Sequence, residues 1–188
     1  MRDLVFEPGC FYHIYNRGVD RQPIFITTAN WGFFVRRMRE HCQTSCADVV
    51  AYCLMPNHYH LVLQAHTTAL GASVMQPLSI SYTKAINKQE GRVGPLFQGP
   101  FCAKRIKDED QLVQLSAYVH LNPVWAGLVT HPGDWVFSSY QDYAGLREGT
   151  LPKTEAVLCH FSSRTDYVQF VTEYAPNRAK VRDVLFQE

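Results

Sequence analysis

The sequence predicts an α+β protein: a ferredoxin-like four-stranded antiparallel sheet with helices packed mainly on one face, plus a C-terminal helical extension. Two patterns lead there. Short aromatic or β-branched runs alternate in the manner of strands, and longer stretches between them keep helical spacing. Their order along the chain is strand, helix, strand, strand, helix, strand, helix, which is an α+β order rather than a parallel-sheet one. With 188 residues, 46% hydrophobic and 19% charged, the chain can bury a substantial core and is too apolar to be disordered.

Taken in order, Gly9 to Arg17 is aromatic and alternating and reads as the first strand, closed by a polar loop carrying Arg17 and Arg21. From Thr28 a helix is expected, because Trp31, Phe34, Val35, Met38 and Cys42 keep one apolar stripe. Asp48 to Met55 is the second strand. The tight Pro56-Asn57 turn joins it antiparallel to a third, His58 to Gln64. Thr67 to Gln89 is expected to be helical, with Met75, Leu78, Tyr82, Ala85 and Ile86 facing inward. Leu96 to Ile106 reads as the fourth strand, bent or placed at an edge by Gly99 and Pro100. Asp108 is a good N-cap for the next helix, and Glu109 and Asp110 suit its positive end. That helix is expected to stop at Leu121 or Asn122, before Pro123. Ala156–Phe161 and Thr165–Tyr174 look like short helices, followed by a basic run from Arg178 to Arg182.

Strand geometry puts His58 and His60 on one face, with Tyr59, Leu61 and Leu63 on the other. Two imidazoles so placed can share a metal ion, or can be ordinary histidines at the rim of a sheet. The helix from Asp108 carries Tyr118 and Asn122 about 40° apart, while His120 falls about 160° from Tyr118. A phenol and an amide therefore stand together, and His120 points elsewhere. Six cysteines are scattered without a Cys-x-x-Cys pair, which disfavours a zinc protein and a disulfide framework. The net charge is +1, but Lys84 to Lys107 holds six basic residues and one acid, Glu90. Such a patch can bind phosphate or be a solvated face.

Five segments carry a resemblance. They are Tyr12 to Gly18 (YHIYNRG), Tyr52 to Leu61 (YCLMPNHYHL), Gly94 to Gly99 (GPLFQG), Tyr118 to Val129 (YVHLNPVWAGLV) and Asp134 to Tyr140 (DWVFSSY). In this order the chain resembles the REP-associated tyrosine transposases of the HUH (His-hydrophobic-His) single-strand transposase superfamily, over roughly residues 9 to 146. The resemblance implies a transposase domain in residues 1–146 and a helical, basic extension in 147–188. It implies that His58 and His60 are metal ligands, with Asn122 the third, and that Tyr118 is the nucleophile. Pro95 and Pro100 stand where the family pattern has His and Arg, and loss of the arginine is expected to weaken a phosphate contact.

The expected function is therefore that of a metal-dependent endonuclease and strand transferase, cutting single-stranded DNA near hairpins through a covalent 5′-phosphotyrosine. Two imidazoles and one amide oxygen leave coordination positions open and suit Mg²⁺ or Mn²⁺. Cleavage is expected to fade below about pH 6, as ordinary imidazoles protonate. Candidate DNA contacts are Asn16, Arg17, Arg21, Lys84, Lys88, Gln98, Lys104 and Arg105. The rival reading is a module that binds structured single strands without cutting them. The partner expected is hairpin-bearing, REP-like single-stranded DNA, met by a monomer or weak dimer. No membrane is expected: there is no long apolar run and no signal-peptide shape, so the expected location is cytoplasmic, at the nucleoid.

Overall fold

A two-residue turn organises the sheet. In the computed structural model, which describes residues 5–42 and 46–175, β2 (Ala47–Met55) and β3 (His58–Ala65) form a hairpin closed by Pro56-Asn57, with Met55 opposite His58. The turn is held from outside: Gly18 N–H donates to the Asn57 carbonyl, and Ile24 and Phe25 N–H donate to that of Pro56. β1 (Phe11–Arg17) pairs antiparallel with β3, with Tyr15 opposite His60 and Arg17 opposite His58. β4 (Cys102–Arg105) pairs antiparallel with β1, giving the order β2-β3-β1-β4.

β4 is shorter than its sequence suggests. Phe97 bridges to Gly18 and Gln98 N–H donates to the Arg17 carbonyl, so pairing with β1 begins before the named strand. Pro100 has no N–H to continue the ladder, and the chain bows away through Gly99. The Asn16 side chain spans the gap, its Nδ2 donating to the Gly99 carbonyl at 3.0 Å.

The α+β class, the four antiparallel strands and the helical C-terminal region are as the sequence predicts. The placing of the helices differs, because they cover both faces of the sheet. α1 (Thr28–Cys42) and α2 (Gln76–Gln89) lie on one face, where Phe34, Met38, Leu78, Tyr82 and Ile86 pack against Tyr12, Ile14, Leu54, Tyr59, Leu61 and Leu63. α3 (Glu109–Trp125) lies on the other with α4 (Tyr140–Tyr143), α5 (Glu155–Leu158) and α6 (Arg164–Tyr174). There Leu112, Leu115, Val119, Tyr143, Tyr167 and Val171 pack against Val50, Ala51, Cys53, Met55 and Val62. β2 carries apolar residues on both sides, Val49 and Leu54 toward α1 and α2 and Val50, Cys53 and Met55 toward α3, so leaving either face open would expose hydrophobic surface. A bulge at Val49–Ala51 helps, since it turns both Val50 and Ala51 toward α3.

Two helix boundaries also differ from expectation. Gly71–Met75 forms a wide π turn before α2, where a continuous helix was expected from Thr67. α3 runs through Pro123 to Trp125. The proline forfeits only the bond its own N–H would make, and Ala126 N–H still reaches the Asn122 carbonyl. The helix ends at Gly127, whose φ of +69° suits a residue without Cβ. Leu128 and Gly127 N–H donate back to the Pro123 and Val124 carbonyls. Asn122 is therefore inside the helix, not at its frayed end. The start is as predicted, with Asp108 Oδ1 accepting from Gln111 N–H at 2.7 Å. The expected basic run Arg178–Arg182 lies outside the described residues. No helix among the described residues is long and apolar enough to cross a membrane.

Candidate active site

Strand parity puts His13 and Tyr15 of β1, His58 and His60 of β3, and Cys102 and Lys104 of β4 on the α3 face of the sheet. The rings of His58 and His60 are 5.1 Å apart and nearly perpendicular. α3 brings Tyr118 to this cluster, its ring 5.7 Å from that of His60 and 6.4 Å from that of His13. Trp125 supports the phenol from the C-terminal side at 5.5 Å. Asn122 sits one turn beyond Tyr118, half-buried, with its Nδ2 donating to the Tyr118 carbonyl at 2.8 Å. That bond occupies the amide nitrogen and leaves the oxygen as the donor atom for a cation.

The imidazoles are tuned to stay neutral. Burial, and then the nearby Arg17 charge, pushes His58 down to about 4. Burial pushes His13 down to about 3, with Lys104 adding to it. His60 is held well below the ordinary histidine value by burial and by its two histidine neighbours. Imidazoles held down in this way take up protons at a more acidic pH than the ordinary histidine value on which the expected fade below about pH 6 rests.

Hydrogen bonds also fix which nitrogen of His58 carries its proton. His58 Nδ1 is 2.7 Å from Asn57 Oδ1, and Asn57 Nδ2 donates to the Arg21 carbonyl at 3.1 Å. A carbonyl accepts only, so the amide's NH₂ end faces Arg21 and its oxygen faces His58. His58 must then donate from Nδ1, which leaves the Nε2 lone pair for a metal. The loop that offers the Arg21 carbonyl has left-handed backbone at Asp20 and Arg21, φ 51° and 60°. His60 Nδ1 is 2.9 Å from His13 Nε2. Among the described residues, no three His, Cys, Asp or Glu side chains are arranged to hold a metal, so a third ligand beside His58 and His60 would have to be a group of another kind, such as the Asn122 amide that the family resemblance implies. Two neutral imidazoles and an amide oxygen fit a divalent cation that keeps open positions.

A groove of about 890 Å³ runs beside the histidines, lined by Tyr15, Asn16, Arg17, Arg21, Asn57, His58, His60, Gln98, Gly99, Pro100 and Cys102. It is in the range that holds a drug-sized ligand, and no carboxylate lines it. Arg17 Nε donates to Gln98 Oε1, which fixes the side chain at the wall. Of the candidate DNA contacts, the structure thus gathers Arg17, Arg21 and Gln98 at the histidines. Asn16 is there too, but it is buried, and its amide is used internally by Gly99 and Arg17. Lys84 and Lys88 are exposed on α2, across the sheet from the histidines. Arg105 is turned toward Glu7 and Cys10, with Nη1 2.8 Å from Glu7 Oε1. Lys104 lines a small hollow beside His13 instead of the groove. Spacing alone could not place these cations, since only the register shows which strand face each one joins.

His120 is not part of this cluster. It is fully buried on the far side of α3, with Nδ1 2.7 Å from Tyr167 Oη and Nε2 2.7 Å from Ser139 Oγ. The sequence reading missed His13, Tyr15 and Asn57 as site residues. The alternation of Tyr12-His13-Ile14-Tyr15 carried the signal for the first two, which share a strand face.

This architecture recurs in a known protein, and the sequence matches a known family. Residues 7–122 match the family model described as "Transposase IS200 like", and the chain belongs to that family. Among its relatives, a Haemophilus influenzae protein provisionally named a REP-associated tyrosine transposase is 26% identical over 112 residues, covering 54% of this chain. The chain spans 64% of that relative's length. A solved REP-associated tyrosine transposase bound to a REP hairpin shares the fold, with a TM-score of 0.61 and 17% identity. The match covers 77% of this chain and 84% of that one.

Proposed function

We propose that the protein is a metal-dependent, single-strand DNA endonuclease and strand transferase that acts near hairpins, with Tyr118 as nucleophile. The observation that carries this reading is the approach of the Tyr118 ring to His60, on the strand face that also bears His58. A phenol with an ordinary pKa near 10 is a poor nucleophile at neutral pH, so it needs a partner that withdraws charge from the phosphate. His58, His60 and Asn122 would hold Mg²⁺ or Mn²⁺, which when bound supplies Lewis-acid stabilisation of the phosphate oxygens.

The chain's own residues do the rest. Helix α3 and Trp125 restrict the phenol, so its oxygen needs little reorganisation to line up with phosphorus. Arg17 and Arg21 place positive charge along the groove, which favours a bound phosphodiester over water. The Tyr118 oxygen forms a bond to phosphorus as the bond to the departing 3′ oxygen breaks. The phenol's proton leaves to solvent and the 3′ oxygen takes one up, giving a 3′-hydroxyl and a 5′-phosphotyrosine. One phosphodiester is exchanged for another, so the strand can be rejoined without ATP. One tyrosine makes one covalent link at a time, so full strand exchange requires a second copy or sequential steps.

The test is incubation with a library of hairpin-bearing single strands and Mn²⁺, followed by denaturing electrophoresis. A protein–DNA adduct that excess EDTA prevents supports the reading. Hairpin binding with no adduct at any sequence would replace it with a non-cleaving binding protein.

A further inference from the structure

We infer that His13 is a positioning residue that makes His60 competent to bind metal, by accepting the proton on His60 Nδ1. The inference rests on the proposed metal centre at His58 and His60.

The starting point is the pair His13 Nε2 and His60 Nδ1, 2.9 Å apart. Both side chains are buried, at 2% and 8% exposure, and their rings stack 5.1 Å apart at 20°. One hydrogen can lie between the two nitrogens, and it can come from either ring. If it comes from His13, His60 carries its own hydrogen on Nε2 and has no lone pair left for a cation. If it comes from His60, the Nε2 lone pair of His60 is available. Nδ1 is already engaged, so Nε2 is the only nitrogen through which His60 can act as a ligand. Metal binding therefore requires His13 to be the acceptor, with its own hydrogen on Nδ1.

The contrast with His58 gives His13 its importance. Asn57 Oδ1 can only accept, so the tautomer of His58 is dictated by its neighbour. An imidazole can accept or donate, so the tautomer of His60 depends on that of His13. The contact is diagonal across the strands: His13 is opposite Val62, and His60 is opposite Tyr15. Partners of this kind on metal-bound histidines orient the ring and raise its basicity, and their loss typically costs about 10–100-fold in metal affinity.

The test uses DNA-free protein and Mn²⁺, with affinity read by calorimetry. His13→Phe keeps a ring of similar size and removes the acceptor, and should weaken Mn²⁺ binding by about 10–100-fold. His13→Gln restores a carbonyl acceptor and should bind within a few-fold of the unaltered protein. Long-range ¹H–¹⁵N spectra of the unaltered protein should place the His60 hydrogen on Nδ1. These spectra decide the matter even if His13→Phe fails to fold. Equal Mn²⁺ affinity in His13→Phe, or a His60 hydrogen on Nε2, overturns the role of His13 while leaving the metal centre standing. No Mn²⁺ binding by the unaltered protein overturns both.

Discussion

His120 and Asn122 are two residues apart on α3, and ligand chemistry and helix geometry disagree about which serves a metal. Imidazole is the commoner ligand, yet His120 is sealed among Tyr140, Tyr143 and Tyr167, with both ring nitrogens bonded to hydroxyls. Replacing a buried ring by alanine costs about 3–5 kcal/mol through lost contacts and the cavity left behind. The hydroxyls released are not orphaned. Tyr167 Oη keeps Ser116 Oγ at 3.1 Å, and Ser139 Oγ keeps Tyr52 N–H at 2.9 Å. This favours the lower end of the range, so His120→Ala should lose about 3 kcal/mol. For a chain of this size that is a drop of roughly 6–12 °C in Tm. Asn122→Ala removes a half-buried amide whose hydrogen bond is local to its own helix, and alanine is the better helix former, so stability should change by less than about 1 kcal/mol. Its effect should fall on metal-dependent cleavage, by roughly 10–100-fold. Thermal unfolding by circular dichroism and cleavage rate against Mn²⁺ concentration, both below the transition, separate the two. A raised Mn²⁺ requirement for His120→Ala with none for Asn122→Ala would refute the helical register on which the site is built.

Further expectations follow from charge and burial. Arg21→Ala should weaken hairpin binding by several-fold, while Lys84→Ala with Lys88→Ala should leave it nearly unchanged; the reverse order in a gel-shift titration would move the DNA to the α2 face. Cleavage should persist as pH falls from 7 through 6, with ligand capacity lost toward pH 4 where His58 takes up its proton; a rate profile that collapses at pH 6 would show His58 to be more exposed than its surroundings imply. Stability should respond over a wider window. His120, buried neutral, is pushed down to about 3, whereas the unfolded chain protonates near pH 6.5. Protons therefore favour the unfolded state from about pH 6.5 downward, by about 1.4 kcal/mol per pH unit for such a histidine. Urea midpoints that do not fall between pH 6 and 4 would contradict this.

The strand–turn–strand around Pro56-Asn57 was legible because period-two alternation and a turn signal agree there. The N-cap at Asp108 and the shared face of Tyr118 and Asn122 follow from local geometry in the same way. The two-sided packing was harder to read. Alternation tells which residues share a face, but not which helix covers it, and β2 is apolar throughout. Pro123 looked like a stop because its cost is local, while the bonds that carry α3 on to Gly127 come from beyond it. His13 was out of reach for a different reason. Its bond to His60 joins residues 47 apart in sequence, and the register of β1 on β3 alone brings them together. Lys84, Lys88 and Arg105 looked like a basic patch in the sequence because linear charge density carries no information about strand or helix face.

The central claim is that Tyr118 forms the covalent bond, and mapping the adduct tests it most directly. A hairpin-bearing strand that is cleaved with Mn²⁺ should yield, after digestion of the protein and the DNA, a peptide containing Tyr118 with a 5′-phosphorylated nucleotide on its phenolic oxygen. Tyr118→Phe, which removes that oxygen and keeps the ring against His60 and Trp125, should bind the hairpin nearly as well and give no adduct. A nucleotide found on Tyr15 or any other residue, or adduct formation by Tyr118→Phe at the unaltered rate, would contradict the assignment.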